Sequence, residues 1–296
     1  MTRQNFGERD SRVRCQTYSP VRRLPGLPHE LFANYWRDVH GPLCTRLPGL
    51  GFYVQHHFSR DMRANLWPAI PRVRTIDIVL DGAVEIGFKD DEDLKRFVEA
   101  SPILFGDEIN IFEWDAAFFL PNGSRTFIDA QEDGTPNGPD KLHRLHIYLH
   151  GAMDETFRTW LDDFAKTLAA DEAVWKLRLH VPEPFDNDNP QPPSPVAHQV
   201  PDDMITMAIL EIGFATALSA RVFYDSPTFK STIAGQSTHV EAMAVFLVTG
   251  VYTYVRDSVP TTAGLRGSRT AEIIEQIGAT NHLDIGVTRL FTASHG

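Results

Sequence analysis

Val84-Glu85-Ile86-Gly87-Phe88 returns as Leu210-Glu211-Ile212-Gly213-Phe214, 126 residues further along the chain. Each copy is followed by a stretch of helical character that runs to a Ser-Pro pair, Ser101-Pro102 and Ser226-Pro227, 125 residues apart. Two matches at nearly one offset mark an internal duplication. A period this long means duplicated domains, since solenoid repeats run about 20–50 residues. In both copies a glutamate alternates with apolar neighbours. Strand geometry then turns Glu85 and Glu211 away from Val84, Ile86, Leu210 and Ile212.

Outward from these strands, each half reads strand, helix, strand, strand, helix, strand. In the first half Val13–Tyr18 reads as a strand and His29–His40 as a helix. That helix has Pro28 at its first turn and apolar Leu31, Phe32, Tyr35, Trp36 and Val39 at helical spacing. Gly51–Phe58 and Ala83–Phe88 follow as strands, Asp90–Ala100 as an acidic-started helix, and Ile111–Phe119 as the closing strand. In the second half the strands are Leu142–His150, Val174–Val181, Met204–Phe214 and Ala244–Val255. The helices are Asp154–Leu168 and Ala215–Tyr224. The order βαββαβ is the ferredoxin-like split βαβ pattern. The expected fold is therefore α+β: two ferredoxin-like units packed open face to open face as an intramolecular α+β barrel. Residues 10–122 form the first unit, 123–140 a linker, and 141–296 a degenerate second unit. The second unit carries a Pro-rich loop at 183–201 and a C-terminal extension at 256–296. That extension is expected to hold a helix at Ser268–Ile277 and a last strand near Asp284–Phe291.

At 296 residues with 42% hydrophobic and 23% charged side chains, the chain can bury two cores without covalent staples. A formal net charge of −11 repels phosphate backbones and anionic lipid, which argues against nucleic-acid and membrane partners. The two cysteines, Cys15 and Cys44, make no disulfide framework and read as reduced core residues of a cytoplasmic protein. The N-terminus has no apolar stretch behind its basic residue, so no signal peptide is expected.

Four stretches could carry chemistry. His40 stands before Gly41-Pro42, which should end the helix at once. His40 would then either cap the orphan carbonyls or, favoured as imidazolium by the helix dipole, carry a proton. In Phe52–Phe58, alternation puts Tyr53, Gln55 and His57 on one face and Phe52, Val54, His56 and Phe58 on the other. The apolar set suits the helix-covered core. The polar set is then expected in the barrel interior, either lining a ligand site or solvated. Glu85 and Glu211 point to the same interior. They would act there as acid or base with raised pKa, or form ion pairs with an arginine such as Arg14 or Arg178. In Leu142–His150, Arg144, His146, Tyr148 and His150 share a face opposite Leu145, Ile147 and Leu149.

His146 and His150 lie roughly 13 Å apart along a strand, too far to chelate one ion, and His56 and His57 point to opposite faces. No Cys-x-x-Cys, His-Glu-x-x-His, Gly-x-Gly-x-x-Gly, P-loop or Gly-x-Ser-x-Gly pattern occurs. No metal and no nucleotide or other cofactor is therefore expected.

Residues 25–58 resemble the EthD family of the dimeric α+β-barrel superfamily. The residues that carry the resemblance are Tyr35-Trp36-Arg37-Asp38-Val39-His40-Gly41-Pro42-Leu43, Leu47-Pro48-Gly49-Leu50 and Tyr53-Val54-Gln55-His56-His57. Asp81–Phe88 and Ser101-Pro102 continue it. The resemblance implies a barrel with a pocket, no obligatory cofactor, and a pocket lined by the His of His-Gly-Pro and by polar residues of the next strand. Most relatives are single units that dimerise, so a homodimer stays open here. The second half has no His-Gly-Pro, so the first half is expected to keep the chemistry.

These readings converge on a cofactor-independent lyase or isomerase for a hydrophobic, oxygenated aromatic, polyketide-like or lactone molecule. His40, Glu85 and His57 are the expected catalytic groups. Tyr35, Trp36, Tyr53, Gln55, His146, Tyr148 and Glu211 are expected to bind substrate. A cofactorless monooxygenase and a non-catalytic carrier of a small molecule or haem are the rival readings.

Overall fold

The computed structural model describes residues 4–292. In the first half, strands β1 (Cys15–Arg23), β2 (Phe52–Phe58), β3 (Gly82–Phe88) and β4 (Phe112–Asp115) pair in the order β4-β1-β3-β2. An edge strand β5 (Arg125–Asp129) follows. In the second half β6 (Asn137–His150), β7 (Val174–His180), β8 (Met207–Phe214) and β9 (Ala242–Arg256) pair as β9-β6-β8-β7. The same order, fourth-first-third-second, appears twice, and the two repeated pentapeptides form β3 and β8. The halves join through β2 and β9, with Val251 opposite His56 and Tyr252 opposite Gln55. The result is one continuous, curled antiparallel sheet, the α+β barrel expected from the duplication.

Strand alternation sorts the side chains onto two faces. Phe52, Val54 and Phe58 of the first half meet Tyr148, Met207, Ile209 and Phe246 of the second in the interior. The outer face of the second half is filled. Leu145, Ile147, Leu149, Leu210 and Ile212 pack there beneath α5 (Glu155–Ala169), α6 (Ala217–Tyr224) and α7 (Pro227–His239). On the outer face of the first half lie α1 (His29–Tyr35), α2 (Gly41–Thr45), α3 (Asp91–Ala100) and α4 (Pro102–Glu108). There the apolar residues divide into two smaller clusters, one around Tyr53, Phe88 and Phe97 and one around Trp36, Phe32 and Phe112.

Several boundaries differ from the sequence expectation. The Ser-Pro pairs do follow helix ends, Ala100 and Tyr224, but the helical stretches do not finish there. The pairs open the further helices α4 and α7, with Pro102 and Pro227 in the first turn, where a missing N–H costs nothing. The stretch expected as a linker contributes β5, paired to β7, and the first residues of β6. Its Gly and Pro residues punctuate strands rather than separate domains. The strand expected near Asp284–Phe291 is the helix Ile285–Thr292. The Ser268–Ile277 helix is present as α8.

The Pro-rich segment 183–201 lies along the β4 side of the sheet. Ala117 N–H donates to the Gln191 carbonyl at 2.8 Å and Asp115 N–H to that of Ala197 at 3.2 Å. Phe185 and Val200 enter the interior core. The segment covers a sheet edge that would otherwise be open to pairing. Among the described residues, no helix is long and apolar enough to cross a membrane.

Candidate active site

The first helix does not stop at Gly41-Pro42. α1 runs through a π-helical turn, Trp36–His40, straight into α2. The Gly41 N–H bonds the Trp36 carbonyl, five residues back. In that register the Arg37 carbonyl would look to residue 42, and Pro42 has no N–H to give. Tyr254 of β9 supplies the missing donor, its hydroxyl reaching the Arg37 carbonyl at 2.8 Å. Gly41 is needed for that approach, because a Cβ there would stand 2.5 Å from the Tyr254 ring. So His40 lies within a continuous helical run and not at the helix C-terminus expected from Gly41-Pro42. Turns of this kind are frequent at functional sites.

The π turn aims His40 at a cavity of about 260 Å³ between the outer face of the first-half sheet and its helices. The walls are largely apolar, with Trp36, Phe97, Leu104, Phe105, Phe112 and Phe119 prominent. Gln191, Pro192 and Pro193 of the Pro-rich segment close one side. His40 Nδ1 lies 2.8 Å from Asp107 Oδ2, and the Tyr35 hydroxyl donates to Asp107 Oδ1 at 2.6 Å. The hydrogen bond from His40, assisted by that from Tyr35, holds the Asp107 carboxyl below its usual range despite partial burial. An ionised Asp107 fixes the proton on Nδ1 and leaves Nε2 as the nitrogen that exchanges protons.

Glu108, the next residue, also lines the cavity. It is buried, and its Oε2 has no hydrogen-bond partner among the described residues. Burial first, and neighbouring Asp115 second, push its carboxyl up to about 8. It is therefore a neutral acid at pH 7. Asp115 in turn pairs with His198 of the Pro-rich segment at 2.8 Å. Two adjacent carboxyls are thus pushed in opposite directions, Asp107 toward its ionised form behind a histidine and Glu108 toward its neutral form by burial.

The structure brings together only part of the expected set. His40, Trp36 and Tyr53 line the cavity; Tyr35 does not border it but bonds Asp107 behind His40. His57 and Gln55 do not border it. The two faces of β2 are the reverse of the expectation: Tyr53, Gln55 and His57 point to the helices, and Phe52, Val54, His56 and Phe58 to the barrel interior. The polar set is satisfied there by the helix itself. Gln55 Nε2 donates to the Trp36 carbonyl at 3.0 Å, and His57 stacks on the Trp36 ring with centroids 4.5 Å apart. Burial and the nearby Arg37 charge hold His57 well below its ordinary pKa, in its neutral form.

Glu85, Glu211, His146 and Tyr148 point into the barrel as expected, but that interior is a packed ionic core apart from the cavity. Arg178 lies 2.9 Å from Glu85 and Arg144 2.6 Å from Glu211. Burial alone would raise both carboxyls. The Arg178 charge, with His180 and His56, outweighs it for Glu85, and Lys176, Arg144 and Arg178 do so for Glu211. Both are depressed, not raised, so neither suits a general acid or base at neutral pH. Asp107 and Glu108 were missed from the sequence. The signal that could have found them is an acidic pair at the C-terminal end of a helix, where the dipole disfavours negative charge and some tertiary role must compensate.

The arrangement is that of a tandem α+β barrel with one helix-covered cavity. Residues 24–105, within the first repeat, match the model of the EthD domain family. That match holds α1, the π turn, β2, β3 and α3. No curated protein matches the sequence. Among solved structures, an anthrone oxidase-like protein is similar over 86% of this chain and 98% of its own, at 9% identity and a TM-score of 0.49. A proposed monooxygenase of Fusobacterium nucleatum is similar over 84% and 97%, at 8% identity and a TM-score of 0.49. A dye-decolorizing peroxidase of Bacteroides thetaiotaomicron is similar over 84% and 96%, at 11% identity and a TM-score of 0.41. These likenesses are of overall shape.

Proposed function

We propose that the chain is an acid–base enzyme of lyase or isomerase type, needing no cofactor, for a hydrophobic oxygenated small molecule of aromatic, polyketide-like or lactone character. The observation that carries this reading is that His40, backed by Asp107, and the buried Glu108 open on the same apolar cavity. The EthD match over the segment containing His40 supports a small-molecule role. A volume of about 260 Å³ suits a compact ring system.

In the proposed reaction His40 Nε2 takes a proton from a carbon beside a carbonyl. Glu108 gives its proton to the developing oxyanion, or to a departing hydroxyl so that water leaves. The apolar walls strengthen both transfers by excluding solvent. Glu85 and His57, the catalytic partners expected from sequence, have no place in this scheme. Both are fully engaged outside the cavity.

The test is solvent-deuterium exchange at carbons beside the carbonyl in a panel of aromatic ketones and lactones, followed by NMR. Exchange by the wild-type protein that is lost in His40→Gln and Glu108→Gln supports the reading. No exchange with any member overturns it. Oxygen consumption with the same panel would replace it by the monooxygenase reading.

A further inference from the structure

We infer that His56, His146 and Glu211 form a buried site for one divalent transition-metal ion, Zn²⁺ foremost, that pins the two repeats together inside the barrel. His56 comes from β2 of the first repeat. His146 and Glu211 face each other across β6 and β8 of the second. One potential ligand atom from each lies within 4.8 Å of the other two. All three residues are at most 2% exposed.

The second observation is independent of proximity. Among the described residues, His56 Nδ1, His146 Nε2 and Glu211 Oε2 make no hydrogen bond. Buried polar atoms are costly when left unpaired, and one on each of three residues that meet in one place calls for a partner. Each ring is held from behind. His56 Nε2 lies 3.0 Å from Glu85, and the tautomer that donates this hydrogen bond has its lone pair on Nδ1. His146 Nδ1 lies 2.7 Å from the Tyr18 hydroxyl, itself 3.0 Å from that of Tyr148. With protons running from His146 to Tyr18 to Tyr148, Nε2 is bare as well. A carboxylate or hydroxyl behind each imidazole is the arrangement that orients metal-binding histidines.

Geometry and charge agree. The two ring centroids are 4.5 Å apart, and two imidazoles bound tetrahedrally to one ion at about 2.1 Å place their centres roughly 5.2 Å apart, so the rings would part by under about 1 Å to admit it. A void of about 30 Å³ borders both His56 and Glu211. Arg144 takes Glu211 Oε1 at 2.6 Å and Asp140 at 2.7 Å, and Arg178 takes Glu85 at 2.9 Å. Arg178 reaches Glu211 Oε2 only as a longer ion pair, at 3.6 Å, and that oxygen makes no hydrogen bond among the described residues. A second possible trio, Glu85, His180 and Glu211, is spanned by Arg178 and is the poorer host. Two nitrogens and one carboxylate oxygen suit Zn²⁺ or a neighbouring first-row ion over Mg²⁺ or Ca²⁺. The site lies away from the cavity, so the ion would be structural.

The test uses full-length protein produced with Zn²⁺ or Co²⁺ in the medium, desalted, and analysed for metal by plasma mass spectrometry and visible absorption. The expected result is one ion per chain, with the absorption of nitrogen-ligated Co²⁺. His146→Phe, which keeps an aromatic ring among Tyr18, Phe58 and Tyr148, should lose the ion while circular dichroism stays native. His40→Gln should keep it. A wild-type chain without stoichiometric metal overturns the inference. So does an ion that persists in both His146→Phe and His56→Phe.

Discussion

Arg178 on β7 stands 2.9 Å from Glu85 on β3, so a fully buried ion pair runs from one repeat to the other through the barrel. Asp10 at 3.5 Å and Glu211 at 3.6 Å share the same guanidinium. Breaking one arm leaves an uncompensated buried charge, which costs far more than losing a surface pair. Glu85→Gln should lower the unfolding free energy by about 3–5 kcal/mol in denaturant titration. Because Glu85 does not border the cavity, turnover by the folded fraction should be unchanged. A variant as stable as wild type would show that the pair does not bind the repeats.

His40 and Asp107 should act as a unit. His40→Gln is expected to lower kcat about 10²- to 10⁴-fold with a native circular dichroism spectrum. Asp107→Asn should lower kcat more than it raises KM, since it disturbs the tautomer of His40 and leaves the cavity walls intact. Equal loss in KM and kcat would make Asp107 a packing residue.

Glu108 yields two pH signatures. If its neutral form is the working acid, kcat should fall as pH rises through about 8, and Glu108→Gln should remove that limb. The stability effect has a definite sign. A carboxyl whose folded pKa lies above its unfolded value binds its proton more tightly when folded, so it favours folding at low pH. That contribution is lost as pH rises from about 4.5 to about 8. Wild type should lose stability across this window more steeply than Glu108→Gln, as read by thermal melts.

Gly41→Ala should destabilise the chain by about 1–3 kcal/mol, because the new methyl meets the Tyr254 ring and the π turn cannot yield without losing the Arg37 contact. Activity should fall with it, since the same turn aims His40. A neutral effect would mean that Tyr254 can swing aside.

The fold was legible because it rests on periodicities: the repeated Glu-Ile-Gly-Phe strand, the alternation of β2 and β6, the helical spacing of Leu31 to Val39. Trp36, His40 and Tyr53 were legible through one motif. What stayed hidden depends on long-range partners. Alternation separates His57 from His56 but does not say which faces the helices, and that was settled by helix carbonyls accepting from Gln55 and Tyr254. The raised pKa sought for Glu85 needed an apolar pocket, and three basic or imidazole neighbours from other strands, Arg178, His180 and His56, lie there instead. Glu108 has that pocket, but its walls come from segments far apart in the chain, including Gln191–Pro193. Gly41-Pro42 imitates a helix stop because the donor replacing the lost backbone bond lies more than 200 residues away, on Tyr254.

The Pro-rich segment belongs by sequence to the second repeat yet forms a wall of the cavity in the first. Two parts of one cavity therefore come from different repeats: His40 and Glu108 from the first, Gln191–Pro193 from the second. Selectivity in such a molecule can drift by changes near Gln191–Pro193 without disturbing His40, Asp107 or either core, so exchanging that short segment is the natural route to altering its diet.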